Sequence, residues 1–130
     1  MTVYMADTHS LLWAFQKPHK LGENARRAFE EVANGEAKLL IPAIVLAELI
    51  FTIENKPIQA DFDEILRGIK NSPNIEFVDF DYESALKLRD LTAIPEMHDR
   101  MIVVSAMLCD AVLITFDKTI TASNLVGVVW

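Results

Sequence analysis

Residues 2–16 read TVYMADTHSLLWAFQ, and this stretch decides the predicted fold. Its first part, Thr2–Ala6, is a short apolar run that predicts a β-strand. Asp7 ends the run, and beyond it apolar residues recur every three to four positions, which predicts a helix over Thr8–Gln16. A strand followed at once by a helix opens an α/β unit, and here an acidic residue stands at the junction.

The same alternation of strand and helix patterns continues to the end of the chain. Further strands are predicted at Lys38–Ile41, Ile75–Phe80, Ala111–Thr115 and Val126–Val129. Helices are predicted at Glu23–Asn34, Ala43–Asn55, Ala60–Asn71, Asp81–Leu91 and from His98 or Asp99 to Cys109. This pattern predicts the α/β class, with a mostly parallel sheet covered by helices on both faces. Because no linker or internal repeat interrupts it, residues 1–130 are predicted to form one domain.

Composition narrows the setting in which the protein works. With 52% hydrophobic and 24% charged residues, the 130-residue chain is typical of a globular domain. A single cysteine cannot form an internal disulfide, which favours a reducing, cytoplasmic compartment. The N-terminus does not resemble a signal peptide, and both long apolar stretches, Leu39–Ile53 and Met101–Phe116, fall short of the roughly 20 residues that cross a bilayer. No membrane association is expected.

The charge balance excludes one class of nucleic-acid-binding protein. Nineteen acidic residues against twelve basic ones give a formal net charge of −7. A protein that coats DNA neutralises phosphates with clustered lysine and arginine, and this chain has the opposite excess. Six acids occupy helix faces that should meet water, where they need no special explanation: Glu30, Glu31, Asp63, Glu64, Glu83 and Asp90. Four acids do not fit that description.

Two of these four acids follow strands. Asp7 comes directly after the first strand and Asp117 after the fourth. Ligands of parallel α/β sheets bind beyond the carboxyl ends of the strands, so the two side chains could converge there. The alternative is that each one only caps the helix or turn that follows it.

The other two acids belong to apolar helices. Glu48 lies within IVLAELIF at residues 44–51, where burial of a lone carboxylate would cost several kcal/mol unless a cation or proton accompanied it. The alternative is that Glu48 marks a narrow wet side of this helix. Asp99 stands near the start of the next apolar helix, and the helix dipole alone explains an anion there, at about 0.3–1 kcal/mol.

Together the four acids predict a site for hard metal ions. Clustered carboxylates repel one another unless a counter-ion is present, and oxygen ligands suit Mg²⁺ or Mn²⁺ rather than zinc. Mg²⁺ keeps several waters and leaves positions for a phosphate oxygen. Two such ions about 3.5–4 Å apart can activate water and stabilise the leaving oxygen in phosphodiester cleavage, and one ion with a second recruited by the substrate is equally consistent.

At these residues the chain resembles PIN-domain proteins, in particular VapC-type toxin ribonucleases. The resemblance rests on an ordered set of four motifs that spans nearly the whole chain. They are ADTH at residues 6–9, LAE at 46–48, HDRMI at 98–102 and LITFD at 113–117. The DTHSLLW segment from Asp7 to Trp13 and the terminal VVW are similar to one toxin-like branch of the family.

The resemblance implies a fold, a site and a set of partners. The fold would be the PIN three-layer α/β/α sandwich. Asp7, Glu48, Asp99 and Asp117 would line the Mg²⁺ or Mn²⁺ site and serve catalysis. Thr8 and Thr115 would hold acidic side chains by hydrogen bonds. The activity would be cleavage of single-stranded RNA, in a homodimer inhibited by a VapB-type antitoxin.

Three other residues have weaker roles. His98 adjoins Asp99 and is a candidate substrate contact at the rim of the site. Arg100 could contact a phosphate or pair with a nearby carboxylate, and the second is favoured. Trp13 is expected to make core or dimer contacts rather than to stack on bases.

Two other functions remain open from the residues alone. A receiver-like signalling domain also places acids at strand ends, but it needs an acidic pair after the first strand, and Asp7 stands alone there. A non-catalytic module with the PIN fold would lack the chemistry, which four intact acids disfavour.

Overall fold

The central sheet consists of five parallel strands. The computed structural model describes residues 1–55 and 61–130. The strands are β1 (Thr2–Ala6), β2 (Ala37–Pro42), β3 (Ile75–Val78), β4 (Val112–Ile114) and β5 (Val128–Val129). They lie in the order β3-β2-β1-β4-β5, and every neighbouring pair is parallel. With helices flanking this sheet, the predicted α/β class is confirmed.

Helices connect the strands throughout the described part of the chain. They are α1 (Thr8–Gln16), α2 (Glu23–Ala33), α3 (Ala43–Asn55), α4 (Phe62–Lys70), α5 (Tyr82–Lys87), α6 (Met97–Leu108) and α7 (Lys118–Ser123). Short 3₁₀ turns occupy Pro18–Lys20 and Leu88–Asp90. None of the helices among these residues has the length and apolar character that a bilayer crossing requires.

The predicted element bounds differ from the structure by a few residues at the ends of both helices and strands. The bounds of β1, α1 and α3 agree with the prediction. The predicted start of a helix at Ala60 and the predicted stop at Lys56-Pro57 lie outside the described residues, and the described helix is α4. For Phe116–Ser123 the sequence predicts a loop that could hold one helical turn. The structure has the helix α7 there, because the Asp117 side chain accepts a hydrogen bond from the Ile120 N–H and caps it.

The core lies between the sheet and the helices that cover it. In the three central strands, Met5, Leu39 and Leu113 are fully buried. On α3, Val45 and Leu49 stand one helical turn apart and are also fully buried, so that helix packs one face inward. Burying a side chain of this size stabilises the fold by about 1.5–3 kcal/mol. The core therefore holds the strand ends rigidly.

The strand order places a binding crevice beside β1. The chain proceeds outward from β1 through β2 to β3 and then returns to add β4 on the other side of β1. Ala6 is level with Ile114 in the register, and the Asp7 N–H donates to the Ile114 carbonyl at 3.3 Å. Ligands of open parallel sheets bind outside the carboxyl ends of the strands at such a reversal of strand order.

Candidate active site

The four acids singled out from the sequence line one cavity of about 430 Å³ beyond the carboxyl ends of β1 and β4. They come from four separate parts of the fold. Asp7 follows β1, Glu48 lies on α3, Asp99 lies in the first turn of α6, and Asp117 precedes α7. All four are half-buried. The Thr8 side chain lines the same cavity.

Asp7 and Asp117 each cap a helix and also face the cavity. Asp7 Oδ1 accepts from the Ser10 N–H at 2.9 Å, and Asp117 Oδ1 accepts from the Ile120 N–H at 2.8 Å. A cap bond fixes one carboxylate oxygen and restricts the rotation of the side chain. The capping and site interpretations are therefore compatible, because each cap bond engages Oδ1 and not Oδ2.

Two threonines support the acids in different ways. The Thr8 hydroxyl is buried and donates to Glu48 Oε1 at 2.9 Å, which joins α1 to α3 across the cavity. Thr115 is buried too, but its Oγ1 accepts from the backbone N–H of Asp117 at 3.1 Å. Thr115 therefore positions the Asp117 backbone, whereas the resemblance implied a bond to an acidic side chain.

The surroundings of Asp99 oppose the ionisation of its carboxyl group. Burial raises the pKa of its carboxyl group from 3.8 to about 6, and the negative charges of Asp117, Glu96, Glu48 and Asp7 act in the same direction. A carboxyl group with this pKa is only partly ionised in slightly acidic solution. The fold thus holds Asp99 where a cation or a proton would relieve an unfavourable charge.

The donor set fits a hard divalent ion, although the side chains are not already gathered around one point. In residues 1–55 and 61–130, no three His, Cys, Asp or Glu side chains form a group that could hold a metal ion as they stand. Mg²⁺ does not require such a cage, because it binds through one or two carboxylates and keeps several waters. Oxygen ligands around a cavity with excess negative charge meet that requirement.

Glu96 is a site-adjacent residue that the sequence reasoning missed. Its Oε2 accepts from the Asp99 N–H at 2.7 Å and caps α6, and its Oε1 lies 2.7 Å from Nδ1 of His98. Burial opposes its ionisation, but hydrogen bonds from His98 and Asp99 lower the pKa of Glu96 overall. In the sequence, this cap is indicated by an acidic residue three positions before Asp99.

The histidine and the arginine beside Asp99 have different surroundings. The hydrogen bond with Glu96 raises the pKa of His98, which favours a cation close to the acids. Arg100 points elsewhere: its side chain donates to the carbonyls of Ile94 and Leu88. The favoured pairing of Arg100 with a carboxylate is therefore replaced by a role in holding the loop before α6.

A valine at position 8 should weaken the fold by removing the bond between α1 and α3. Thr8→Val keeps the side-chain shape but leaves Glu48 Oε1 without its donor, which should lower the free energy of unfolding by about 1 kcal/mol. Urea denaturation measures the change. Thr92→Val, at an exposed loop threonine, is the control and should have little effect. Equal losses in the two variants would argue against the Thr8–Glu48 bond.

The protein is therefore an α/β protein with an acidic site: four acids line the cavity at the carboxyl ends of its parallel strands. A family model described as PIN domain matches residues 4–122. The chain belongs to the PIN domain family, and this part of the predicted resemblance is confirmed.

Solved structures with the same fold come from toxin–antitoxin complexes. A chain of VapBC2 from Rickettsia felis, bound to a promoter DNA fragment, is 19% identical, with 98% of each chain covered and a TM-score of 0.75. A chain of DNA-bound VapBC from Salmonella typhimurium is also 19% identical, with 99% of this chain and 98% of that chain covered and a TM-score of 0.70. A chain of VapBC-5 from Mycobacterium tuberculosis is 14% identical, with 99% and 98% covered and a TM-score of 0.63. No curated protein matches the chain by sequence.

Proposed function

We propose that the protein is a metal-dependent endoribonuclease that cleaves single-stranded RNA and acts as the toxin of a VapBC-type pair. The proposal rests on one observation. Asp7, Glu48, Asp99 and Asp117 line one cavity at the carboxyl end of a PIN-family sheet, where the strand order reverses. Isolated surface acids would not need to converge, because each would be solvated on its own.

The four acids have different proposed roles. Asp7 and Asp99 are the proposed principal ligands of Mg²⁺ or Mn²⁺, and Asp117 is the proposed outer or second-ion ligand. When bound, such an ion supplies Lewis-acid polarisation and positive charge at the scissile phosphate. Glu48 Oε1 is held by Thr8, and Oε2 is the oxygen we assign to accept a proton from, or orient, an attacking water.

Contacts with the RNA backbone must come from positive charge near the acids. His98, with its pKa raised by Glu96, is the proposed side chain that meets a phosphate at the rim. Arg100 is not proposed for this role, because backbone carbonyls already engage it. RNA binding should therefore depend on the divalent ion, since the metal-free cavity repels phosphate.

The proposed partners follow from the structural relatives. Those relatives are described as VapBC or toxin–antitoxin complexes. We propose a VapB-type antitoxin as the protein partner, a homodimer as the assembly and the cytoplasm as the compartment. Co-purification of the chain with the product of a short neighbouring gene would test the partner directly, and failure of the two proteins to bind would contradict it.

The decisive experiment is an endonuclease assay on the purified chain. We expect single-stranded RNA to be cut in Mg²⁺ or Mn²⁺ and to remain intact in EDTA, with duplex RNA and single-stranded DNA as comparison substrates. Equal cleavage of RNA in EDTA would contradict the metal requirement. An absence of both cleavage and Mn²⁺ binding at millimolar concentration would indicate a non-catalytic PIN-fold module instead.

The receiver-like alternative conflicts with the strand order. Its phospho-acceptor would be an acid after β3, in the Asp79–Asp81 region. Because β3 is the edge strand and β2 separates it from β1, these acids are not next to Asp7. Neither Asp79 nor Asp81 lines the cavity that the four acids share. Incubation with acetyl phosphate is therefore expected to leave the protein unphosphorylated.

A further inference from the structure

One wall of the acidic cavity is built from aromatic side chains. The Trp13 and Trp130 ring centroids lie 5.8 Å apart in an edge-to-face arrangement, and the Phe116 and Trp130 centroids lie 5.2 Å apart. All three side chains line the cavity that holds the four acids. We call these three residues the aromatic wall. His9 extends it, with its ring 5.7 Å from Trp13.

Core packing does not explain the whole of this wall. Trp13 and Trp130 are half-buried against the core, but Phe116 is 59% exposed and lies outside the core cluster. Exposing a phenylalanine this far forgoes most of the stabilisation that burial would supply. Phe116 also stands directly before Asp117, one of the proposed metal ligands, and both residues line the cavity.

The position of Trp130 depends on a glycine. A Cβ added to Gly22 would lie 2.5 Å from the backbone carbonyl carbon of Trp130 and 2.7 Å from Cδ1 of its indole ring. The Asn24 N–H donates to the Trp130 carbonyl at 3.2 Å, which ties the chain end to the start of α2. The ring is therefore fixed in the wall by a close approach that only glycine permits.

A lysine lies next to one of the aromatic rings. The Lys20 ammonium lies 5.4 Å from the Trp13 ring centroid, within the range of a cation–π contact. Carboxylates that can hold a metal, aromatic rings and a lysine are the kinds of group that bind the phosphates and bases of a nucleotide chain. The metal would take one phosphate, the rings a base, and the lysine a neighbouring phosphate.

We infer that the aromatic wall of Trp13, Phe116 and Trp130 is a stacking subsite for an unpaired nucleobase next to the cleaved phosphate. This inference rests on the proposed function and deepens it, because it names the residues that would make the nuclease prefer single-stranded RNA to duplex RNA. Paired bases are enclosed in a duplex and offer no free face, whereas an unpaired base can be splayed out and stacked on aromatic side chains. The rings are within the same cavity as the acids, so the base and the phosphate would belong to adjacent parts of one strand.

Intrinsic fluorescence tests the subsite directly, because both tryptophans of the chain are in the wall. The probes are an adenosine 10-mer RNA and a 10-mer of abasic ribose phosphate, titrated in Ca²⁺ with gel analysis to check that the RNA stays intact. We expect the adenosine 10-mer to quench tryptophan emission and to bind more tightly than the abasic strand. Equal binding of both strands, or no quenching at saturation, would overturn the inference.

Phe116→Ala isolates the stacking contribution with little cost to the fold. Base–aromatic stacking is worth about 1–3 kcal/mol per base, so the variant should bind the adenosine 10-mer roughly 5- to 150-fold more weakly and should bind the abasic strand as the wild type does. Phe77→Ala is the matched control, because Phe77 is 45% exposed on the edge strand β3 and does not line the cavity. Equal weakening of both strands by Phe116→Ala would overturn the inference.

A second variant and two further outcomes separate this inference from the proposed function. Gly22→Ala displaces Trp130 without removing a ring, and it should weaken adenosine binding but not abasic binding. If the stacking signature is present but no RNA is cut in Mg²⁺, the subsite stands and the nuclease proposal fails. If RNA is cut while Phe116→Ala changes only the affinity for a partner protein, the wall is a protein contact and the inference fails.

Discussion

Asp99→Asn is expected to reduce RNA cleavage by at least about a thousand-fold while the protein stays folded. The variant keeps the shape of the side chain but removes the charge that would hold the ion. A bound metal contributes several kcal/mol of transition-state stabilisation, and each 1.36 kcal/mol is a factor of ten in rate. The measurement is the single-turnover rate of RNA cleavage in Mg²⁺, compared with the wild-type rate under the same conditions.

Two further variants control this experiment. Asp7→Asn should produce a loss of similar size, since Asp7 is the other proposed principal ligand. Asp63→Asn removes a carboxylate from the exposed surface of α4 and should leave the rate unchanged. Circular dichroism of each variant checks the fold. A folded Asp99→Asn protein with full activity would contradict the assignment of the site.

The strand and helix positions were predictable because local patterns and tertiary packing agree. The run Thr2–Ala6 became a buried strand, and Thr8–Gln16 became the helix that Asp7 caps. The short helix after Asp117 was predicted as no more than a loop that could hold one helical turn, since six residues carry too little periodicity to distinguish a helix from a loop. Its existence depends on a cap bond that spacing alone does not reveal.

Convergence of the acids was predictable from topology, but their supporting contacts were not. Strand-end acids such as Asp7 and Asp117 meet because parallel strands end at the same edge. A charged partner was favoured for Arg100, but it donates to the carbonyls of Ile94, in the loop before α6, and of Leu88, in the preceding 3₁₀ turn. Side-chain direction decides such contacts, and sequence spacing does not specify it.

Sequence spacing also does not specify the contacts of the aromatic wall, whose residues lie far apart in the chain. Trp13 was expected to be a core or dimer contact, and Trp130 lies 117 positions away in the sequence, yet their rings are in contact. The pairing of β5 with β4, together with the bond from the Asn24 N–H to the Trp130 carbonyl, brings the chain end back to the site. Part of the acidic excess that gives the chain its negative net charge lines the candidate site itself.

The charge on Asp99 should make the metal-free protein less stable at neutral pH than in mild acid. The folded pKa of about 6 lies above the ordinary value of 3.8, so between these values the folded state binds more protons than the unfolded state. Stability contributed by this group therefore falls as the pH rises from about 4 to about 6, and the penalty persists above that range. Asp99→Asn, which cannot ionise, should remove this dependence.

Without metal, Asp99→Asn should be more stable than the wild type, and divalent metal should reverse this order. In EDTA at pH 7, Asp99→Asn should be more stable than the wild type by about 1–2 kcal/mol, a value reduced from the full pKa shift because Asp99 is only half-buried. At about pH 3, below both pKa values, the difference should vanish. Mn²⁺ at 100 times its Kd should stabilise the wild type by about 2.7 kcal/mol and the variant much less. Thermal unfolding with and without Mn²⁺ measures both effects. An equal Mn²⁺ shift in the two proteins would mean that Asp99 does not hold the ion, whatever its role in cleavage.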